Sequence, residues 1–412
     1  MCFKDECELT IQDGLGITSV PGIKAAGIHA GFRKDPKRKD MALIVADEPC
    51  VAAGLFTTNI FCAAPVTVCH QNIADARVKA IVINSGNANA ATGEPGIETA
   101  KATCEIVAAA LGCDAGDVLP CSTGVIGVPL STACFESGVP AAVAVLDGGI
   151  DAGHDAARAI MTTDTVPKEV ALSYVCKERH IHIAGMCKGS GMIMPNMATM
   201  IAVVCTDAAL TPEAAKAAFK QAVDGSFNCV TVDSDTSTND TSILLATGKA
   251  GGKVIDVGSK SFDCFCNALA IVCKELAKKI ARDGEGASHM IEVQVTGAAD
   301  DADAQLCART IANSPLVKTA IAGCDANWGR IAAAAGRSGA KFVQEKVDID
   351  IAGIPVLRAG LPVPFSEEEA LEHLKCKEVV LAIDLGAGDA SACIWTCDLT
   401  HGYISINADY RS

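Results

Sequence analysis

Strand-like and helix-like segments alternate along all 412 residues of this chain, and no other feature restricts the fold as strongly. The short, β-branched runs at 42–45 and 80–83 are closed by polar or glycine residues, which is typical of buried strands. Residues 291–295 alternate between apolar and polar side chains and predict a half-exposed strand. Because half of the residues are hydrophobic, such a chain can bury a large core. The sequence therefore predicts an α/β fold built of packed layers.

The helices have clearer boundaries than the strands. Thr211 can cap a helix that has Pro212 in its first turn. A second helix is predicted over about 261–281, where the apolar side chains fall on one face. Ser366 and Glu369 have the spacing of a capping box and predict the start of a third helix.

The charge balance excludes two classes of partner. The formal net charge is −15, whereas a protein that binds nucleic acid or an anionic membrane needs Lys and Arg to neutralise phosphates. Aromatic residues make up only 4 % of the chain, which gives little surface for stacking bases. No apolar run approaches the roughly 20 residues of a membrane span. We therefore expect neither a nucleic-acid partner nor a membrane.

The cysteines indicate a reducing compartment. There are 21 of them, spread through a long chain without a CxxC pair. Residues 1–6 contain no apolar signal region and are too acidic for a mitochondrial transit peptide. We expect a cytoplasmic protein with free, mostly buried thiols. His180 and His182 share one face of a strand, but no ligand pair follows at the spacing of a metal site, so no metal is expected.

One segment interrupts the alternation of strands and helices. Residues 185–199 are rich in glycine and methionine, and they lead directly into residues 200–204, which predict a strand buried on both faces. The loop is therefore expected to place Thr199 directly before the start of a core strand.

Thr199 in this position can serve as a nucleophile. A threonine hydroxyl is inert unless a base removes its proton, and cleaving the preceding peptide bond would free such a base, the α-amine of Thr199 itself. An α-amine has a pKa of about 7.7–8.0, so it is partly neutral at physiological pH. The small Ala198 offers little obstruction to attack on its carbonyl. Taken alone, the same residues also suit an ordinary turn before a strand.

A series of motifs decides between these interpretations. The block from Lys188 to Met192, followed by Pro195 and the sequence Met-Ala-Thr-Met at 197–200, resembles the signature of the ornithine acetyltransferase family. Similar blocks occur, in order, at 83–90, 122–127, 161–165, 232–240, 314–318, 327–330 and 406–410. Together they extend the resemblance over essentially the full length of the chain.

The resemblance implies a self-cleaving precursor. In that family the chain splits between an alanine and a threonine, here Ala198 and Thr199, and the new N-terminal threonine carries the acetyl group. The products are an α chain of residues 1–198 and a β chain of residues 199–412, which are expected to assemble as an α2β2 heterotetramer. The implied fold is the layered, two-domain α/β fold of the ornithine acetyltransferases and their aminopeptidase relatives.

The resemblance also assigns site residues. The oxyanion donors fall on the Thr123 hydroxyl and the Gly124 backbone N–H. Lys188 supplies the positive charge that a substrate carboxylate needs, and Glu285 can face a cation. The full set of implied substrate contacts is Thr162 (or its neighbour Thr163), Lys188, Thr199, Glu285, Asn407 and Ser412. The chain departs from the family pattern in two places: it ends in Ser412 where threonine is frequent, and it has Ala326 where proline is frequent.

The implied reaction is acetyl transfer from N2-acetyl-L-ornithine to L-glutamate in arginine biosynthesis, through an acetyl ester on Thr199. No metal or redox cofactor is implied, and the motifs do not decide whether acetyl-CoA is a second acetyl donor. Two alternatives stay open. One is an N-terminal-nucleophile aminopeptidase or amidase that passes the acyl group to water. The other is a non-catalytic protein on the same scaffold that never cleaves itself.

Overall fold

The computed structural model describes residues 8–176, 179–194 and 200–409. These residues form two compact units, each with its own sheet, and the α/β class expected from the sequence is confirmed. The first unit falls within residues 1–189, 195–228 and 236–276, and the second within 190–194, 229–235 and 277–412. The predicted cleavage point does not coincide with this division, because the strand that follows it belongs to the first unit. The division into α and β chains by self-cleavage therefore stays a prediction.

Within the described residues, the first unit contains nine strands and five whole α-helices. The strands are β1 (Glu8–Ile11), β2 (Ile23–Ile28), β3 (Met41–Phe56), β4 (Arg77–Asn87), β5 (Val118–Val125), β6 (Lys168–Cys176), β7 (Arg179–Lys188), β8 (Ile201–Thr206) and β9 (Thr241–Ala246). The helices are α1 (Ala64–Asn72), α2 (Gly93–Leu111), α3 (Ala133–Ala144), α4 (Ile150–Ala159) and α5 (Pro212–Asp224). A further helix, α6 (Lys260–Arg282), has its first seventeen residues, up to Leu276, in this unit.

The strands of the first unit form one mixed sheet. Its order is β1-β6-β7-β8-β9-β3-β4-β5, and β2 pairs with β3 beside this path. The pairs β8–β9 and β4–β5 are parallel, and the others are antiparallel. The end of β7 and the start of β8 are neighbours, since Lys188 lies opposite Ile201. The parallel β4–β5 pair brings Ser85 opposite Thr123.

Both faces of this sheet are covered. Alternate residues of β3 point to opposite sides: Leu43 packs in a cluster with residues of α2 and α3, and Ile44 packs in a cluster with Ile201 and Leu245. Strands covered on both faces bury every residue, and β8 and β9 have all six residues buried, most of them apolar. The prediction of a fully buried strand after residue 199 is therefore confirmed.

The second unit has a six-stranded sheet. Its strands are β10 (Met290–Ala298), β11 (Asp348–Ile351), β12 (Ile354–Arg358), β13 (Leu361–Pro362), β14 (Glu378–Asp384) and β15 (Ala390–Cys397), in the order β13-β12-β11-β14-β10-β15. The helices are α7 (Asp301–Ala312), α8 (Pro315–Ala322), α9 (Trp328–Gly336), α10 (Glu367–Leu374) and α11 (His401–Ala408). In β10, Ile291, Val293 and Val295 are fully buried and alternate with half-buried polar residues, as predicted.

The helix boundaries follow the capping residues. The Thr211 side chain accepts a hydrogen bond from the Ala214 N–H (3.2 Å) at the start of α5, and Ser366 does the same for the Glu369 N–H at the start of α10. In the part of the chain that the structure describes, no helix combines the length and apolar character needed to cross a membrane. The described cysteines carry reduced thiols, most of them buried. Burial raises the pKa of Cys50 to about 12, which makes such a thiol a poor nucleophile.

Candidate active site

Thr123 lies near the end of β5, where the strand runs beside β4. The residue is only 6 % exposed, and none of the described residues is hydrogen-bonded to its hydroxyl. The next residue, Gly124, has φ +135°, and a Cβ there would lie 2.3 Å from the carbonyl carbon of Gly86. Only glycine fits this approach of two backbones. The predicted oxyanion pair thus combines a hydroxyl that has no partner in the described chain with a position restricted to glycine.

Two consecutive residues, Asn239 and Asp240, tie this strand to β8. The Asn239 side-chain amide donates to the carbonyls of Ser122 (2.8 Å) and Ala88 (2.6 Å), and so fixes the peptide just before Thr123. The Asp240 carboxylate accepts the N–H of Met200 at 3.0 Å. One dipeptide therefore holds both the end of β5 and the N–H of Met200.

Asp240 is a buried carboxyl in an unusual state. It is 0 % exposed, and none of the described residues has a side chain or amide in hydrogen-bond geometry with its second oxygen, Oδ2. Burial raises the pKa of Asp240 well above its ordinary value, and the Met200 amide and the Lys188 ammonium offset this only in part. The site therefore favours the neutral carboxyl at Asp240.

Lys188, the last residue of β7, belongs to a second buried group of charges. The side chains of Asp164 and Lys168 are both 0 % exposed, and the Lys168 Nζ lies 2.6 Å from Asp164 Oδ1. Lys188 is 3 % exposed, and its ammonium acts on the Asp164 carboxylate electrostatically. We call Asp164, Lys168 and Lys188 the buried charge cluster.

Asp164 is the centre of this cluster. Its Oδ1 also accepts the N–H of Gly189 (2.7 Å), and its Oδ2 accepts the N–H of Thr162 (2.9 Å). Burial by itself would raise the pKa of Asp164, but Lys168, Lys188 and the Gly189 amide together hold that pKa well below its ordinary range. These partners therefore hold Asp164 in its ionised form.

In the second unit, Glu285 lies in the turn that follows α6. It is 7 % exposed, and its N–H donates to the carbonyl of Ser190 at 2.9 Å. The Ser190 hydroxyl donates in turn to the Asp283 carbonyl at 2.6 Å. A Cβ on Gly191 would lie 2.3 Å from the Glu285 carboxyl carbon, so the carboxylate packs directly on that glycine. The glycine-rich loop is thus shaped to receive Glu285.

Helix α11 covers the same carboxylate. The Asn407 side-chain amide donates to Glu285 Oε2 at 2.8 Å. The Tyr403 hydroxyl, one turn earlier in the helix, donates to Asp233 Oδ2 at 3.3 Å. The Asp233 carboxylate also accepts hydrogen bonds from the N–H groups of Met192 and Ile193. Two of the predicted substrate contacts, Glu285 and Asn407, are therefore hydrogen-bonded neighbours.

The structure places the predicted residues in three sets, each within one unit. Thr123 and Gly124 form one set; Thr162 and Lys188 are joined through Asp164; Glu285 and Asn407 form the third. Three further predicted residues, Ala198, Thr199 and Ser412, lie outside the described residues. The backbone of Thr162 is anchored on Asp164, while the choice between Thr162 and Thr163 as the substrate contact stays a prediction.

Within the described ranges, no group of three or more His, Cys, Asp or Glu residues is arranged to hold a metal ion. His182, one of the two histidines considered as ligands, instead pairs with Asp207, with 2.8 Å between Nδ1 and Oδ2. Asp207 also accepts the His182 N–H at 2.7 Å. These contacts fix Asp207, the residue that follows β8.

Several organising residues were not found from the sequence, although the motif blocks contained all but one of them. They are Asp164, Asn239 and Asp240, together with Lys168, which lies three residues beyond the block 161–165; several of their partners lie 25 to 151 positions away in the chain. The available signal was the spacing of Asp164 and Lys168, a carboxylate four residues before a lysine.

Two solved structures are similar to parts of this chain. A crystal structure of the arginine biosynthesis bifunctional protein ArgJ from Bacillus halodurans has 45 % identity and a TM-score of 0.49, and covers 50 % of this chain and 96 % of that one. Ornithine acetyltransferase from Mycobacterium tuberculosis, solved in complex with ornithine, has 38 % identity and a TM-score of 0.42, and covers 46 % of this chain and 98 % of that one.

Sequence comparison extends the similarity to nearly the whole chain. The protein named arginine biosynthesis bifunctional protein ArgJ in Symbiobacterium thermophilum is 47 % identical over 398 residues, covering 96 % of this chain and 98 % of the relative. The protein of that name in Nitratidesulfovibrio vulgaris is 48 % identical over 396 residues, with 96 % and 99 % covered. The sequence model of the ArgJ family matches residues 24–412. This chain therefore belongs to the ArgJ family.

Proposed function

We propose that this protein transfers the acetyl group of N2-acetyl-L-ornithine to L-glutamate through an acetyl ester on Thr199. Family membership supports the place in arginine biosynthesis, because the relatives are named for it. The structural observation that carries the proposal is the Asn239–Asp240 dipeptide. It holds the peptide before Thr123 and the N–H of Met200, so it links the end of β5, which carries the proposed oxyanion donors, to the residue just before β8.

The first half of the reaction forms the ester. The Thr199 hydroxyl oxygen attacks the acetyl carbonyl carbon, and its proton passes to the free α-amine of Thr199. The Thr123 hydroxyl and the Gly124 N–H stabilise the negative oxygen of the tetrahedral intermediate. The bond between the carbonyl carbon and the substrate nitrogen then breaks, and the proton held by the α-amine moves to that nitrogen as ornithine leaves.

The second half reverses the same steps with glutamate. Its amine attacks the ester carbon, and Thr199 leaves as the hydroxyl. Both amino acids carry an α-carboxylate, which we assign to the Lys188 ammonium, and we assign the distal ammonium of ornithine to Glu285. The two predicted chains remain together as an α2β2 assembly in this proposal, which a native mass measurement can test.

A covalent intermediate is the direct expectation of this mechanism. Incubating the cleaved protein with N2-acetylornithine alone should add one acetyl group, about 42 Da, to the β chain and release ornithine. Adding glutamate should remove that mass and yield N-acetylglutamate. Intact mass spectrometry of the two chains follows both steps.

The same assay separates the alternatives. An aminopeptidase or amidase would release acetate into water without needing glutamate, and a non-catalytic protein would show one uncut chain and no added mass. Supplying acetyl-CoA in place of N2-acetylornithine shows whether the protein accepts a second acetyl donor. A β chain that stays unmodified while acetyl reaches glutamate would contradict the role of Thr199 as carrier.

Removing the Lys188 charge should weaken substrate binding. In Lys188→Ala, Asp164 keeps its ion pair with Lys168, so the cluster retains a paired carboxylate and the variant should fold. The α-carboxylate interacts with Lys188 in the ground state and in the transition state alike, so KM should rise for both substrates. Some loss of kcat should follow from misplacement of the substrate. Steady-state kinetics measure both effects, and an unchanged KM for both substrates would contradict the assignment.

A further inference from the structure

The buried charge cluster is centred on one carboxylate. Moving charges out of water is costly, so buried charges are retained where other groups compensate them. Asp164 interacts with both lysines of the cluster, and Lys188 also faces the Asp240 carboxyl. The position of Lys188 is therefore set by buried side chains rather than by solvent.

The contacts of Asp164 show what the carboxylate organises. One oxygen fixes the amide of Thr162, and the other fixes the amide of Gly189, directly after Lys188. Thr162 and Lys188, two of the substrate contacts that the resemblance implies, therefore both lie beside a backbone amide that this one side chain holds. Lys168, 2.6 Å away, holds that side chain in place from within the core.

We propose that Asp164, held by Lys168, is a positioning residue that sets Thr162 and Lys188 around the α-carboxylate shared by the acetyl donor and the acetyl acceptor. This inference rests on the proposed function, and it deepens it by adding two residues that act without touching the substrate. It also identifies the group on the substrate that the cluster recognises, which is the carboxylate rather than the side chain.

The substitution Asp164→Asn tests the role with little change in size. An asparagine has one acceptor oxygen and one donor amide, so it cannot accept from both Thr162 and Gly189. One of the two backbone segments must lose its anchor. Asp207→Asn is the matched control, because Asp207 is also buried, hydrogen-bonded to a basic side chain and bonded to a backbone amide, both of them from His182.

The experiment compares two acetyl donors. N2-acetylornithine carries the α-carboxylate, and its decarboxylated analogue, N-acetyl-1,4-diaminobutane, lacks it. Single-turnover acetylation of the β chain is followed by mass spectrometry, which detects slow donors, and rates are expressed per cleaved chain. The slope of rate against donor concentration is measured for wild type, Asp164→Asn and Asp207→Asn.

For N2-acetylornithine, Asp164→Asn should lower this slope by roughly 10- to 100-fold, the size expected from losing a charge-assisted hydrogen bond. For the analogue, the same variant should change the slope by less than about threefold, since the carboxylate is already missing. Asp207→Asn should leave both slopes near wild type. A purely structural role would lower the slope for both donors alike, and that result would overturn the inference.

A second variant tests the same role in case Asp164→Asn does not fold. Lys168→Met removes the cation next to Asp164 while keeping an unbranched apolar stem, and the same donor-dependent pattern is expected from it. Failure of the proposed function gives a different result: wild type itself would transfer no acetyl group from N2-acetylornithine. Wild-type transfer combined with equal losses for both donors in the variants would reject the role of Asp164 alone.

Discussion

Thr199→Ala should remain a single uncut chain and transfer no acetyl group. The variant lacks the hydroxyl that attacks the Ala198 carbonyl, and without the cut there is no α-amine to serve as base. Both the processing and the reaction should therefore be lost together, which makes this the largest effect expected from any substitution. Intact mass spectrometry and N-terminal sequencing check the cut, and the mass assay with N2-acetylornithine checks the transfer.

Thr199→Ser is the matched control for this experiment. It keeps a hydroxyl at the same position, so it should still cut itself and still accept an acetyl group, at reduced rates. Wild-type β chain should begin with Thr199 and continue with Met200. If Thr199→Ala were cut at the same bond in purified form, the intramolecular mechanism would be wrong.

Thr123→Ala should lower kcat by roughly 10²–10³ while changing KM little, which corresponds to about 3–4 kcal/mol of lost transition-state stabilisation. The reason is that the hydroxyl is needed chiefly when negative charge develops on the acetyl oxygen. Because Thr123 is buried, little water can reach the site to donate a hydrogen bond in place of the missing hydroxyl. Steady-state kinetics on fully cleaved protein measure the effect.

Processing complicates this measurement, because the same donors can assist the self-cleavage. The cleaved fraction of each preparation must therefore be determined first. Thr123→Ser, which retains the hydroxyl, is the control and should keep most of the activity. A fully cleaved Thr123→Ala with raised KM and intact kcat would instead place Thr123 among the substrate-binding residues.

The sequence allowed much of the fold to be predicted, because local patterns determine it. Thr211 and Ser366 cap helices where expected, and the apolar run after residue 199 forms a strand with every residue buried. These features depend on residues within a few positions of one another or on uniform burial. The helix over 261–281 likewise follows from its own periodicity and extends over Lys260–Arg282.

The connections within the candidate site could not be predicted in this way. Asp164 and Gly189 are separated by 25 positions, and Met200 and Asp240 by 40, and only the pairing of strands brings them together. Lys168 in particular looks like a solvated residue at the start of a strand, yet it is fully buried. Lys168 is buried beside the Asp164 carboxylate, and tertiary contacts set the position of that carboxylate.

The place of β8 in the sheet has a consequence for how the protein is made. It lies between β7, which precedes the predicted cut, and β9, which follows it. Before the cut, one chain forms the β7–β8 ladder by closing a loop, so its assembly is unimolecular and independent of concentration. After the cut, the same ladder joins two separate molecules, and refolding becomes a second-order encounter that dilution slows. The persistence of the mature enzyme then depends on how slowly it unfolds, because the single-chain route by which it first folded is no longer open.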